Sequence, residues 1–226
     1  MPSPPPPSRP LLVAHRAGNQ IATLRAAEAA GVDLIEVDVW WYCGGLEVRH
    51  LKTMGPIPLL WDRWKLASAW APRMTLDELL EAPSPTTELM FDLKGHAPEL
   101  APGVIEAVRR LIPGRPYTVS SPSWDVLEAF HGEAHARVIY SVGRRAMLRK
   151  VSSRLARHEH RAVTVHRRLL SPARVASLRE MAPTVMSWPI NTPESLREVL
   201  AWGVNGIVSD NIELLGWLVR ERADSA

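Results

Sequence analysis

The chain has a single cysteine, Cys43, in 226 residues, so it can form no internal disulfide and no cysteine-built zinc cluster. Phenylalanine and tyrosine are scarce, at two and three residues, against nine tryptophans. Neither sign of charge dominates. The 27 Lys+Arg face 24 Asp+Glu, and a net charge of +3 spread over this surface is too weak a field to imply nucleic acid. No apolar run approaches the roughly 18 residues that a membrane span needs. The start lacks the basic-then-apolar order of a signal peptide, and residues 1–10 read as a disordered Pro-rich tail. A cytoplasmic protein is expected. What is present, 46% hydrophobic and 23% charged residues, is a globular composition. Residues 11–226 show no internal linker and read as one domain.

Beyond the tail, short apolar runs alternate with amphipathic stretches rich in Ala, Leu and Arg. Leu11 to Ala14 is the first strand and Asn19 to Ala30 its helix, stopped by Gly31. Leu34 to Val39 is the clearest strand, extended by a hairpin through Gly44-Gly45 to His50. Thr75 to Glu81 has the spacing of a capping box, with Glu78 three residues after Thr75. Glu88 to Lys94 is a strand and Pro98 to Leu111 a helix. Five tighter units follow, with strands at Tyr117, Val138, Ala162, Val185 and Gly206. The helices after them cover 124–131, 144–158, 171–181, 192–202 and 212–220. About eight uninterrupted strand–helix units favour a closed (β/α)8 TIM barrel, α/β in class and near the minimum size.

In such a barrel the chemistry gathers at the C-terminal ends of the strands. His15-Arg16, Glu36 and Asp38, His50, Asp92 and Lys94, Trp188 with Asn191, and Asp210 all fall there. Glu36 and Asp38 are two apart on a strand, so both point to one face among apolar neighbours. Two like charges buried in a parallel sheet are costly unless something neutralises them. A hard divalent cation would do so, with Asp92 as a third ligand from the next strand. Ion pairs with Arg16, Lys94 or Arg49 would also serve, and both readings stand. His15 and His50 beside such a cluster make an acid–base pair. Arg16 and Lys94 suit an anion such as a phosphoryl group.

These residues resemble the glycerophosphodiester phosphodiesterase family. The resemblance rests on His15-Arg16, on Gly31-Val32-Asp33-Leu34-Ile35-Glu36-Val37-Asp38-Val39 and on Val48-Arg49-His50. It continues through Thr75 to Leu79, Phe91-Asp92-Leu93-Lys94, Ser187 to Asn191 and Gly203 to Asp210. It implies hydrolysis of a small phosphodiester substrate to glycerol 3-phosphate and an alcohol. It also implies His15 and His50 as catalytic groups, and Glu36, Asp38 and Asp92 as ligands of Ca²⁺ or Mg²⁺. Arg16 and Lys94 match the phosphate-binding groups, and Trp188 matches the aromatic wall beside the substrate. Ala17 stands where the family usually has Gly, and Asp92 where it has Glu. The first loop reads Gly18-Asn19-Gln20 in place of Glu-Asn-Thr, and Leu51 follows His50 in place of Asp. A phospholipase of the same barrel superfamily, or a decayed barrel that binds an anionic partner, are the alternatives. The short stretch between His50 and Thr75 implies that the family's insertion over the site is nearly absent and the mouth open.

Two further features bear on partners. Trp40, Trp41, Trp61, Trp64 and Trp70 fall near the mouth, and packing is favoured over a lipid-touching lip. Residues 144–168 hold eight Arg and Lys150 against Glu159 alone. This reads as a solvated basic helix, with a weak contact to an anionic membrane as the lesser option and no nucleic acid expected. His158, His160 and His166 read as surface residues. The oligomeric state is left open.

Overall fold

The computed structural model describes residues 9–54, 57–62, 65–69, 71–157 and 161–224. Parallel strands form its centre: β1 (Leu11–Ala14) and β2 (Leu34–Tyr42), each rich in the aliphatic residues that suit a strand buried on both faces. An antiparallel β3 (Gly45–Val48) returns beside β2. The two-residue loop between them is Cys43-Gly44, with φ of 48° and 84°, as a type I′ hairpin turn requires. The turn is thus one residue earlier than the Gly44-Gly45 pair suggested. Next come β4 (Lys52–Met54), β5 (Ile57–Asp62) and β6 (Lys65–Ser68), then β7 (Leu89–Lys94), β8 (Tyr117–Ser121) and β9 (Ala136–Val142). The series ends with β10 (Ala162–His166), β11 (Thr184–Trp188) and β12 (Gly206–Ser209). The barrel runs β1-β2-β7-β8-β9-β10-β11-β12 and closes because β1 pairs with both β2 and β12. The expected closed (β/α)8 barrel is borne out.

The helices are α1 (Ile21–Ala30), α2 (Leu76–Leu80), α3 (Leu100–Leu111), α4 (Arg145–Leu155), α5 (Pro172–Met181), α6 (Pro193–Ala201) and α7 (Ile212–Asp224). Gly31, with φ of 72°, ends α1. Thr75 and Glu78 form the expected capping box on α2, and Thr192 with Ser195 forms another on α6. The outward strand face, including Ile35, Val37, Phe91 and Leu93, packs on these helices. The inward face splits by height. Val13, Leu34, Met90, Ile139, Met186 and Val208 fill the interior as a separate apolar cluster. Two residues further along β2 and β7 come Glu36, Asp38, Asp92 and Lys94, at the polar end where the site lies.

Several expectations change. The segment expected as a helix over 124–131 is a 3₁₀ run, Trp124–Phe130. Asn19 is not in α1 but ends a short 3₁₀ turn, because its side chain is bound to Asp38 and Gln20 is extended. The stretch after His50 does not leave the mouth bare: β4, β5 and β6 form a three-stranded antiparallel sheet there. Alternation along β5, with Leu60 buried and Trp61 exposed, is what a two-faced strand needs. Packing holds for Trp41, which meets the core, and for Trp40, whose ring lies under the Arg49 guanidinium at 4.7 Å. It fails for Trp61, which is 40% exposed. Trp64, Trp70, His158, His160 and residues 1–8 of the expected tail lie outside the described residues.

Close packing inside the barrel is tightest at Gly206. A Cβ there would lie 2.3 Å from Met186 Cγ and 2.9 Å from its Cβ, so the neighbouring strand itself would have to yield. Gly206→Ala is expected to destabilise the fold by about 1–3 kcal/mol in denaturant titration. A variant as stable as the parent would show that this interior tolerates a methyl group.

Candidate active site

The site grows from the rims of neighbouring strands. β2 and β7 pair in register, Asp38 opposite Asp92, which brings side chains from two strands to one height. Glu36, Asp38 and Asp92 each place a carboxylate oxygen within 4.8 Å of the others. Glu36 is 2% exposed and Asp38 fully buried. Lys94 reaches back over both aspartates. Its ammonium pairs with Asp92 and lies 2.8 Å from Asp38 Oδ1, an ionic contact without a well-directed hydrogen bond. Ser120 Oγ donates to Asp92 Oδ1 at 2.9 Å.

The first loop closes over this cluster. Arg16 adopts a left-handed backbone, φ 58°, which costs a non-glycine residue on the order of 1 kcal/mol or more. That geometry lets its backbone N–H donate to Glu36 Oε2 at 2.5 Å. Asn19 donates from Nδ2 to Asp38 Oδ2 at 2.7 Å and accepts the Asp38 backbone N–H at 2.9 Å. The Arg16 Nε is buried and has no partner among the described residues, an unspent donor beside the carboxylates.

Each imidazole is held from behind. His15 Nδ1 lies 2.7 Å from Asp210 Oδ1, beyond the end of β12. His50 Nδ1 lies 2.8 Å from Asp62 Oδ2, at the end of β5. An ionised carboxylate only accepts, so each Nδ1 carries the hydrogen and each Nε2 faces away from its anchor. Asp210 is itself positioned by Asn191 Nδ2 at 3.0 Å.

The electrostatics follow from burial and from these partners. Burial pushes Glu36 up, Asp38 adds to the effect, and its carboxyl titrates at about 8. Burial also opposes ionisation of Asp38, but Lys94, with help from His50 and Asn19, holds it below its ordinary range. Burial lowers the His15 imidazole, yet Glu36 and Asp210 outweigh it and hold it above its usual value. Burial prevails at His50, which lies below its usual value although Asp38 and Asp62 oppose the shift. The hydrogen bond from His15 holds Asp210 down at about 2.

The structure therefore brings together His15, Arg16, Glu36, Asp38, His50, Asp92 and Lys94. Trp188 ends β11, diametrically across the barrel from β7. His166, read as a surface residue, is a partly buried member of the mouth, its ring edge-on to Trp188 with centroids 4.6 Å apart. Sequence reasoning gave no role to Asp62, Asn19 or Ser120. Asp62 had a signal, since the alternation Leu60, Trp61, Asp62 puts the aspartate on the buried face with Leu60.

A divalent cation fits this donor set. Three carboxylates are hard oxygen ligands, and a buried Glu36 that ionises only near pH 8 marks negative charge in need of a counter-charge.

Comparisons with known proteins agree with this architecture. A model of the glycerophosphoryl diester phosphodiesterase family matches residues 184–213, which include Trp188, Asn191 and Asp210. No curated protein matches the chain. A phosphodiesterase of Oleispira antarctica, solved in complex with the product sn-glycerol-3-phosphate, is 18% identical, with a TM-score of 0.74 over 94% of this chain and 97% of that one. A glycerophosphodiester phosphodiesterase of Thermotoga maritima is 19% identical, with a TM-score of 0.72 over 93% and 98%. One from Parabacteroides distasonis is 21% identical, with a TM-score of 0.71 over 96% and 100%. At these identities the solved structures establish a shared barrel fold. With the family match, they bear out the resemblance read from the sequence.

The raised Glu36 carboxyl has a measurable consequence. The folded chain holds a proton there that the unfolded chain releases above about pH 4.5, so folding favours the protonated form. Without divalent cations, stability is expected to fall as pH rises from about 4.5 to 8, by a few kcal/mol at most. Glu36→Gln should flatten that slope in denaturant titrations run in chelator. An unchanged slope would place the strain elsewhere.

Proposed function

We propose that the chain is a divalent-cation-dependent phosphoric diester hydrolase that splits glycerophosphodiesters into glycerol 3-phosphate and an alcohol. The observation that carries this reading is the pair of imidazoles, each anchored through Nδ1 on its own aspartate, flanking one cluster of three carboxylates. The family match and the shared barrel support it. So does the product held by the Oleispira antarctica phosphodiesterase. A decayed, merely binding site is disfavoured, because the aspartates behind both imidazoles are also in place.

In this reading Glu36, Asp38 and Asp92 hold Ca²⁺ or Mg²⁺. The bound ion would supply charge neutralisation and polarisation at the phosphoryl oxygens. Arg16, with its unspent buried Nε, and Lys94 bind the remaining phosphoryl oxygens and stabilise charge that grows on them. His50 has a depressed affinity for protons, and its Nε2 takes the proton from the water whose oxygen attacks phosphorus. His15 has a raised affinity, and its Nε2 delivers a proton to the leaving alcohol oxygen. Trp188 walls the far side of the pocket and excludes water from the organic part of the substrate.

Replacing either His15 or His50 by alanine should lower kcat about 10²–10⁴-fold on glycerophosphodiesters while leaving the circular dichroism spectrum unchanged. Chelation should abolish turnover. Mg²⁺ or Ca²⁺ should raise the Tm of the parent chain but not of Asp38→Asn. Activity that survives both chelation and His15→Ala would defeat the assignment.

The two roles also set a pH profile. The base must be unprotonated, so the rate falls as pH drops through the His50 value, which lies below 6.5. The acid must be protonated, so the rate falls as pH rises through the His15 value, above 6.5. A bell-shaped kcat profile is expected. His50→Ala should remove its acidic limb and His15→Ala its basic limb. Loss of the opposite limb in either variant would reverse the two assignments.

A further inference from the structure

The small sheet beside the mouth has two unlike faces. Strand β5 alternates against β6, with Leu59 opposite Ser68, Leu60 opposite Ala67 and Trp61 opposite Leu66. Its inner face carries buried Leu60 and Asp62, the anchor of His50. Its outer face carries Ile57, Leu59 and Trp61, with Leu66 beside Trp61, exposed by 50%, 37%, 40% and 69%. Four large apolar side chains on one exposed face are not a scattering of single surface residues. Lys52 holds its ammonium 5.8 Å from the Trp61 ring, which puts a cation at the edge of the apolar patch.

The opposite side of the mouth is cationic. In the ring order β10 lies diametrically across from β2, the strand whose hairpin leads into the small sheet. The segments that follow β9 and β10 carry Arg144, Arg145 and Arg168 at their starts, with Arg149 and Lys150 one turn further along α4, all exposed. None of these five side chains forms an ion pair among the described residues. Arg174, in the first turn of α5, adds a sixth exposed cation, whose guanidinium donates to the Leu169 carbonyl. The mouth face thus presents an apolar wedge on one side and, on the other, cations that form no ion pair among the described residues. A flat surface that is apolar just beneath a layer of negative groups would meet both at once.

We propose that this face docks on an anionic phospholipid surface, with Trp61 and Leu66 entering the interface and the β9–β10 side resting on acidic headgroups. Tryptophan edged by lysine suits the boundary between headgroups and acyl chains. Free arginines near such a surface add attraction that salt weakens. The protein would then sit with its mouth against the layer from which a lipid-derived diester comes. Docking is read without turnover, so it succeeds or fails apart from the hydrolase assignment.

The test is co-sedimentation of the full chain with vesicles of phosphatidylcholine alone and of phosphatidylcholine containing about 30% phosphatidylglycerol. Binding to the anionic vesicles is expected, weakened by about 0.5 M salt, with little binding to the neutral ones. The double variant Trp61→Ser with Leu66→Ser should lower the partition about tenfold or more. Arg145→Glu with Arg149→Glu should lower it on anionic vesicles and blunt the salt dependence. Both variants should keep the parent's rate on a water-soluble glycerophosphodiester. No binding to anionic vesicles, or binding indifferent to both variants, overturns the proposal. So does a dimer, seen by analytical ultracentrifugation of the parent chain, that the Trp61/Leu66 variant splits, since the patch would then be covered by a second copy.

Discussion

Negative charge that cannot reach water governs this end of the barrel. Glu36 and Asp38 are almost wholly removed from solvent, and Asp92 stands beside them. Ionised carboxylates in such a place are tolerable only when cations and donors surround them. The surroundings are arranged accordingly. Lys94 lies across both aspartates, Arg16 bends into a left-handed backbone to offer its N–H to Glu36, and Asn19 clamps Asp38 from two atoms. The local shape of the first loop follows from the same requirement, since the 3₁₀ turn delays α1 until the Asn19 side chain has been used.

The barrel supplies the register, and segments remote in sequence supply the orientation. β2 and β7 place Asp38 and Asp92 side by side because parallel strands in register align residues of the same parity. Neither imidazole is held by its own strand. Asp210 comes from the far end of the chain and closes on His15 because β12 pairs with β1. Asp62 comes from the small sheet and reaches His50 across its inner face. The opposite displacements of the two imidazoles follow from their surroundings. His15 looks toward an ionisable Glu36 and a strongly held Asp210. His50 has Arg16 nearby and loses more to burial than its aspartates return.

Much of this was readable in residues that obey one rule at a time. The alternation of strand and helix, the capping box at Thr75 and Glu78, and the parity of Glu36 with Asp38 each have a local cause, and each appears as expected. What the sequence hid depends on contacts between distant segments. Alternation puts Asp62 on the same face as Leu60, but only the pairing of β4, β5 and β6 turns that face toward His50. The helix expected after β8 is 3₁₀, and Trp124, in its first turn, donates from Nε1 to the Ser141 carbonyl. Trp61 shows the limit from the other side, because composition alone cannot tell a tryptophan that packs from one that faces solvent.

Charge and packing bear on two of the positions at which the chain departs from the family it resembles, the first loop and Asp92. Glu36, Asp38 and Asp92 bring three negative charges, and Lys94 returns one. A divalent cation would complete the balance and leave the buried Arg16 Nε, which has no partner among the described residues, as a spare donor. Gly18 stands where the family's first loop has Glu, and a Cβ there would lie 2.3 Å from Val37 Cγ2, so the loop packs too closely on β2 at this point for a side chain. Asn19 gives the Asp38 carboxylate a donor without adding charge. The shorter Asp92 fits the same scheme, since Ser120 and Lys94 hold its two oxygens in place where a longer side chain would reach further into the pocket. With Glu36 ionised, the three carboxylates and Lys94 together carry two negative charges, which a single doubly charged ion can neutralise.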